Sequence, residues 1–266
     1  MSFPYREVFE SVEKKLLAVR SPDISTEVQL AKLDAFKDYA NRQLSDDEYF
    51  RIMVKVVFYS GFRAETVKQK EAVIFGHFPD LKTVAAYGDR EVKAILNDPE
   101  MIRNARKVEA CIANARLMAE LADRHGSFRD YLLTFGELKQ LEDVLLVKET
   151  LEATFAFFGG ITTYHFMTDA GLPVLKPDRV LTRIFERLGL IEDDKQLLKT
   201  VLQGQKFAAA TGLPIRYIDI VFVLYGQASA TAYGIAKGIC LEDAPQCSAC
   251  GIRAHCRYEA GVPAAA

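Results

Sequence analysis

Along nearly the whole chain, apolar residues recur three and four positions apart, the spacing that lines one face of a helix; no stretch alternates with a strand's period of two. Val8, Phe9, Val12, Leu16 and Leu17 share one face before residue 20, and Val28, Leu30, Leu33 and Phe36 share another before residue 43. Ser45-Asp46-Asp47-Glu48 has the form of a capping box, in which Ser45 caps open amides while Glu48 reaches back, and it predicts a helix through Tyr59. An apolar run ends at Gly159-Gly160, and a second run follows through Met167. Asp178 precedes the amphipathic stretch Arg179 to Leu188, which makes it an N-cap by position, and that helix should stop near Gly189. Asp193-Asp194 predicts another start, running through Leu202. Gly212-Leu213-Pro214 then breaks the chain before an apolar helix from Ile215 to Tyr225, stopped by Gly226. The pattern is that of an all-α protein.

At 266 residues, half of them hydrophobic, the chain is long enough for one large or two small cores. Its longest apolar runs, such as the one from Ile218 to Tyr225, which contains Asp219, are too short to span a bilayer. No basic stretch with an apolar core opens the sequence, so a soluble cytoplasmic protein with no membrane partner is expected. The net charge of −2 means that any contact with nucleic acid must come from a local basic face.

Two features carry candidate chemistry. The Gly159-Gly160 turn leaves backbone amides open at the start of a helix, where an anionic oxygen can be held, although a tight hairpin with no ligand has the same sequence. Four of the five cysteines, Cys240, Cys247, Cys250 and Cys256, lie within seventeen residues, while Cys111 stands apart on an apolar helix. Such clustering points to a soft metal rather than to disulfides, and by ligand type alone zinc suits a small domain better than iron–sulfur.

Helix, glycine hairpin, helix and a Pro-Asp opening the next helix together resemble the helix-hairpin-helix DNA glycosylase superfamily. The cysteine spacing C-x6-C-x2-C-x5-C is similar to the loop that closes endonuclease III and the mismatch adenine glycosylases. From residue 45 to 172 the chain resembles 3-methyladenine DNA glycosylase I instead. Asp46 to Phe50, Met101 to Ala115, Gly126 to Leu132 and the hairpin through Gly171 carry that likeness. These resemblances imply two lobes: a helical barrel over 45–172 holding the hairpin, and a second lobe of 1–44 with 173–266 carrying Asp178 and a 4Fe-4S cluster on the four cysteines, its role structural. The implied partner is double-stranded DNA with a damaged base, bound by a monomer in a bacterial-type cytoplasm, at the nucleoid.

The resemblance assigns Asp178 as the carboxylate that stabilises positive charge on the sugar while the base leaves. Gly159, Gly160 and Thr162 would hold DNA at the hairpin, with Lys176 facing phosphate and Tyr59 filling the gap left by a flipped nucleotide. Tyr49, Phe62, Tyr164 and His165 are expected in the base pocket, whereas Glu65 and Glu152 read as exposed-face carboxylates. There are departures as well. Val56 stands where 3-methyladenine DNA glycosylase I has its acidic base-recognition residue, no tryptophan is present, and that family's zinc-binding His and Cys are missing. Ile161 occupies the place of the lysine that makes bifunctional relatives cut the sugar, so the expected enzyme is a monofunctional glycosylase of base-excision repair. N-alkylated purines such as 3-methyladenine are its favoured substrates. Excision of mismatched adenine or deaminated pyrimidines, or non-catalytic recognition of DNA structure, is the alternative.

Overall fold

A computed structural model describes residues 3–19, 21 and 23–258. Among them are thirteen α-helices: α1 Tyr5–Ala18, α2 Thr26–Asp34, α3 Asp46–Tyr59, α4 Ala64–His77, α5 Leu81–Ala85, α6 Asp89–Asn97, α7 Ala105–His125, α8 Phe128–Leu133, α9 Leu141–Thr154, α10 Ile161–Asp169, α11 Arg179–Arg187, α12 Leu197–Thr211 and α13 Ile215–Gly226. The described residues contain no strand, only the isolated bridge between Ala230 and Ile235, so the all-α expectation holds. No single helix among them is long and apolar enough to cross a membrane.

The chain divides into two compact units, Gln43–Leu172 and Met1–Arg42 with Pro173–Ala266. In the first, α7 runs through the middle and packs against α3, α5 and α8. The Ser45 box is present in full, with Ser45 Oγ accepting from the Glu48 amide and Glu48 Oε2 accepting from the Ser45 amide. The two acids between them look outward. Asp46 Oδ1 accepts from the Phe128 amide at 2.8 Å and Asp47 Oδ1 from the Leu81 amide at 2.9 Å, so one tetrapeptide satisfies open amides at the starts of α3, α8 and α5.

The second unit closes around rings. Phe185, Phe207 and Phe222, from α11, α12 and α13, meet with centroids 4.9–5.4 Å apart, and Phe9 of α1 adds an edge at 5.8 Å to Phe222. All four are fully buried, each worth about 2–3 kcal/mol of burial. Where α13 crosses α11, a Cβ on Gly226 would lie 2.6 Å from Val180 Cγ1 and 2.9 Å from Ile184 Cδ1. The helix ends at Gly226, as expected from sequence, and packing against α11 also keeps that residue small.

One boundary and one helix face differ from expectation. Asp193 does not start α12: its carboxylate accepts from the Lys195 amide at 2.7 Å in a local turn, and the helix begins at Leu197 and continues to a left-handed Gly212. On α2, Val28 is exposed and Gln29 is buried instead, because Gln29 Nε2 donates to the Tyr233 carbonyl.

Candidate functional site

Each unit carries candidate chemistry of its own. In the 43–172 unit, the chain between α9 and α10 turns with Phe157 at φ +63° and Gly160 at φ +46°, a region a glycine enters at little cost and a phenylalanine does not. The turn is clasped from α7. Asn114, 2% exposed, donates from Nδ2 to the Ala156 carbonyl at 2.9 Å and accepts at Oδ1 from the Ala156 amide at 2.8 Å. Lys107, one turn from the start of α7, is also 2% exposed. Its ammonium donates to the carbonyls of Val57 and Ser60 at the end of α3, and it lies 5.4 Å from the ring of Phe62 and 4.9 Å from that of Phe157. Burial pushes the Lys107 pKa down.

The hairpin's own acid corrects one expectation. Glu152 is no idle surface carboxylate, since Oε1 accepts from the Gly160 amide at 2.7 Å and Oε2 pairs with Lys148. The Gly160 amide bond, then the Lys148 contact, hold the Glu152 pKa down. One amide expected to meet DNA is thus already occupied. Gly159 has open space around it, Thr162 donates its amide back to the Gly159 carbonyl, and Phe157, Ile161 and Phe62 stay exposed.

Of the expected pocket residues, Phe62 is exposed and the others are enclosed to different degrees. Tyr49 is 4% exposed, edge-on to Phe128 at 5.3 Å, and Tyr164 is 2% exposed, so both belong to the core. Tyr59 is part-buried and tied by its hydroxyl to Glu71 at 3.1 Å, which does not leave it the freely projecting plug of the sequence reading. Burial, then Glu71, push its pKa up to about 12. His165 stands edge-on to Tyr59 and lies 3.5 Å from Asp169, which also pairs with Lys55. Val56 is wholly buried. Glu65 contacts Gln69 one turn along α4.

In the other unit, Asp178 caps α11: Oδ1 accepts from the Val180 amide at 3.0 Å and the Leu181 amide at 3.2 Å. Oδ2 is left outside the cap, 3.7 Å from Lys176 Nζ, in a side chain 24% exposed. Beneath this turn is a residue the sequence reading passed over as a polar interruption. Asp219, 2% exposed on α13, accepts from the Lys176 amide at 3.0 Å and pairs with Arg216. Burial pushes its pKa up to about 6, with Arg216 pulling the other way and the Asp178 charge adding to the rise.

The cysteine loop is fastened by α11. Arg183 Nη2 donates to the carbonyls of Gly226 and Cys240, and Arg187 donates to those of Leu241 and Glu242. Arg187 Nη1 also reaches Cys240 Sγ at 3.3 Å, while the Tyr225 hydroxyl donates to Cys250 Sγ at 3.2 Å. None of the four thiols is in a disulfide. Soft sulfurs that receive hydrogen bonds beside guanidinium groups suit an anionic cluster. Among the described residues, however, no three His, Cys, Asp or Glu side chains are gathered as a ligand set. The donor chemistry fits such a group, and the side-chain positions do not by themselves form its cage.

A profile of methyladenine glycosylases matches residues 36–175, more than half of the 266. The chain belongs to the methyladenine glycosylase family. It is accordingly an all-helical DNA N-glycosylase of the kind that acts on alkylated purines. Among solved structures, the 8-oxoguanine DNA glycosylase of Thermotoga maritima is similar over 80% of this chain and 95% of its own, at 17% identity and a TM-score of 0.51. The 3-methyladenine DNA glycosylase I of Staphylococcus aureus aligns over 51% of this chain and 84% of its own, at 18% identity and a TM-score of 0.42. A second 3-methyladenine DNA glycosylase I aligns over 57% and 93%, at 22% identity and a TM-score of 0.43. The methyladenine glycosylase profile ends before Asp178, so the carboxylate and the cysteine loop lie outside the matched stretch.

Proposed function

We propose that this methyladenine glycosylase is monofunctional, that its favoured substrates are N3-alkylated purines in duplex DNA, and that Asp178 is its catalytic carboxylate. Asp178 carries the reading because its cap occupies Oδ1 alone, leaving Oδ2 outside the cap on a part-buried side chain. Alkylation gives the purine a formal positive charge. When the N-glycosidic bond breaks, its electron pair neutralises the departing base and the positive charge passes to the sugar. A fixed carboxylate stabilises that cation and can orient the water that attacks it; the water's proton passes to the carboxylate and then to solvent, leaving an abasic site. Because the base leaves neutral, no strong acid is needed in the pocket, in keeping with a buried Val56 where a relative's acid would stand.

Ile161, at the first position of α10, offers no amine to attack the sugar, which supports hydrolysis without a lyase step. At the hairpin, phosphate would meet Thr162 and the exposed turn, with Gly160 reached only by displacing Glu152. Cys240, Cys247, Cys250 and Cys256 would hold a 4Fe-4S cluster, whose contribution when bound is to fix the loop, since hydrolysis transfers no electron.

Asp178→Asn tests the reading: release of 3-methyladenine from methylated duplex DNA should cease while DNA affinity stays within a few-fold. Unchanged release would remove Asp178 from the mechanism. A panel of duplexes carrying alkylated, deaminated, mismatched and 8-oxoguanine bases tests the substrate class. Borohydride should trap no adduct, and a Lys176-dependent adduct would refute monofunctionality. Purified protein should be brown with four irons per chain (about four, as the proposed cluster requires), and one zinc in a colourless protein would overturn the cluster.

A further inference from the structure

The Lys176-Pro177-Asp178 turn is fixed at successive points. Asp219 Oδ1 accepts from the Lys176 amide at 3.0 Å, the Lys176 carbonyl accepts from the Asp178 amide at 2.8 Å, and Asp178 Oδ1 is bound by its two capping amides. Pro177 holds its own φ between them. Only the first of these restraints comes from elsewhere in the chain, 43 residues away. The carboxylate supplying it is in turn held by Arg216, whose guanidinium lies 5.0 Å from the ring of Phe36 and 5.2 Å from that of Tyr39, two rings stacked on each other at 5.6 Å. A chain of contacts therefore runs from an aromatic stack through Arg216 and Asp219 to the backbone that aims Asp178.

A buried carboxylate is costly to keep where an amide or an apolar residue could pack. Here it has two cations, Arg216 and Lys176, one backbone amide and a second carboxylate near enough to repel it. The groups that face it are Arg216 on α13 and Lys176 and Asp178 ahead of α11. From α1 and α2 and the segment after α2, Glu13, Asp34 and Lys37 act on Tyr217, the first by a 2.5 Å hydrogen bond and the last over its ring. From α12, Gln203 and Gln205 are uncharged and turn to the carbonyls of Leu190 and Pro173, and Arg183 of α11 is committed to Gly226 and Cys240.

We propose that Asp219 is a positioning residue for base excision: in its ionised form it ties the Lys176 amide to Arg216 and so holds Asp178 Oδ2 where the sugar's positive charge develops. The inference rests on the reading of Asp178 as the catalytic carboxylate. Protonation of Asp219 removes the charge that binds Arg216 and weakens its hold on the Lys176 amide. Excision should then slow below about pH 6, the value to which burial raises this group. A displacement of the carboxylate by a fraction of a bond length to about 1 Å is worth up to about 100-fold in rate.

The test is single-turnover release of 3-methyladenine from methylated duplex DNA by the full chain, followed from about pH 5 to about pH 8. Wild type should show an acid limb near pH 6. Asp219→Asn should be about 10- to 100-fold slower at neutral pH, bind DNA unchanged, and lose the limb. Arg216→Gln should move the limb to higher pH, because the cation that favours the ionised form is gone. Asp219→Asn with wild-type rate and an intact limb overturns the inference. If that variant does not fold, an Arg216→Gln limb that stays where it was overturns it equally. Asp178→Asn separates the two ideas: an inactive Asp178→Asn beside a fully active Asp219→Asn sinks the positioning role alone, whereas a fully active Asp178→Asn sinks the reading beneath it.

Discussion

Replacing Asn114 with alanine removes both hydrogen bonds that clasp Ala156 to α7. Each such bond contributes about 1 kcal/mol net, and the stranded amide and carbonyl of Ala156, in a part-buried turn, add about 1 kcal/mol more. The total is about 3 kcal/mol. For a compact unit spanning residues 43–172, that corresponds to a fall of about 10 °C in melting temperature. Circular dichroism melts of wild type and Asn114→Ala give the comparison directly. Asn114→Asp sharpens it, because the aspartate keeps the oxygen that accepts from the Ala156 amide but sets a buried carboxylate against the Ala156 carbonyl. Its deficit should be larger at neutral pH than near pH 4 (about the acid end of a raised carboxylate), where the protonated acid can donate again. A melting temperature within about 2 °C of wild type for Asn114→Ala would refute the claim that this side chain holds the hairpin.

Three other outcomes follow from the same contacts. Gly238→Ala would push a methyl group against the carbonyl oxygens of Leu224, Tyr225 and Gln227, which are backbone and cannot swing aside; a loss of about 1–3 kcal/mol is expected, and a normal melt would contradict this. The Asp219 carboxyl rises from 3.8 to about 6 in the folded chain, so the folded state binds more protons than the unfolded one between those values. Its contribution to stability is therefore fully present below pH 3.8 and is lost, to the extent of about 3 kcal/mol, as pH rises through about 6. Urea unfolding of wild type against Asp219→Asn should show that divergence, and a pH-independent difference would count against it. Glu152→Gln keeps an acceptor for the Gly160 amide while removing a negative charge from the hairpin, so DNA affinity should rise several-fold at low salt, an effect that fades as salt is added; unchanged affinity at low salt would place the hairpin away from the phosphates.

Features that depend on near neighbours in the chain were legible before any coordinates. The Ser45 box and the Asp178 cap are settled within three residues, and the helical periods are local too. What escaped was whatever depends on a distant partner. Asn114 and Ala156 are 42 residues apart, and Asp219 and Lys176 are 43 apart, so nothing in their own neighbourhoods marks them. Gly226 ends its helix as the sequence implies, but that it must also stay small against Val180 and Ile184 depends on residues more than 40 positions away. Tyr49 and Tyr164 are buried in the core, because an aromatic at helical spacing packs into a core as readily as it lines a cleft. The nearer surprise was Glu152, eight residues from Gly160, where the chain's own acid fills an amide that sequence alone reserved for phosphate.

The tetrapeptide Ser45 to Glu48 caps its own helix and anchors the first turns of two others that begin 34 and 82 residues beyond the aspartates that hold them. Fraying at any one of those ends removes an acceptor or a donor on which a segment far along the chain depends. Amide protons at the openings of α3, α5 and α8 should therefore exchange with solvent as a single cooperative group, although no stretch of sequence joins them.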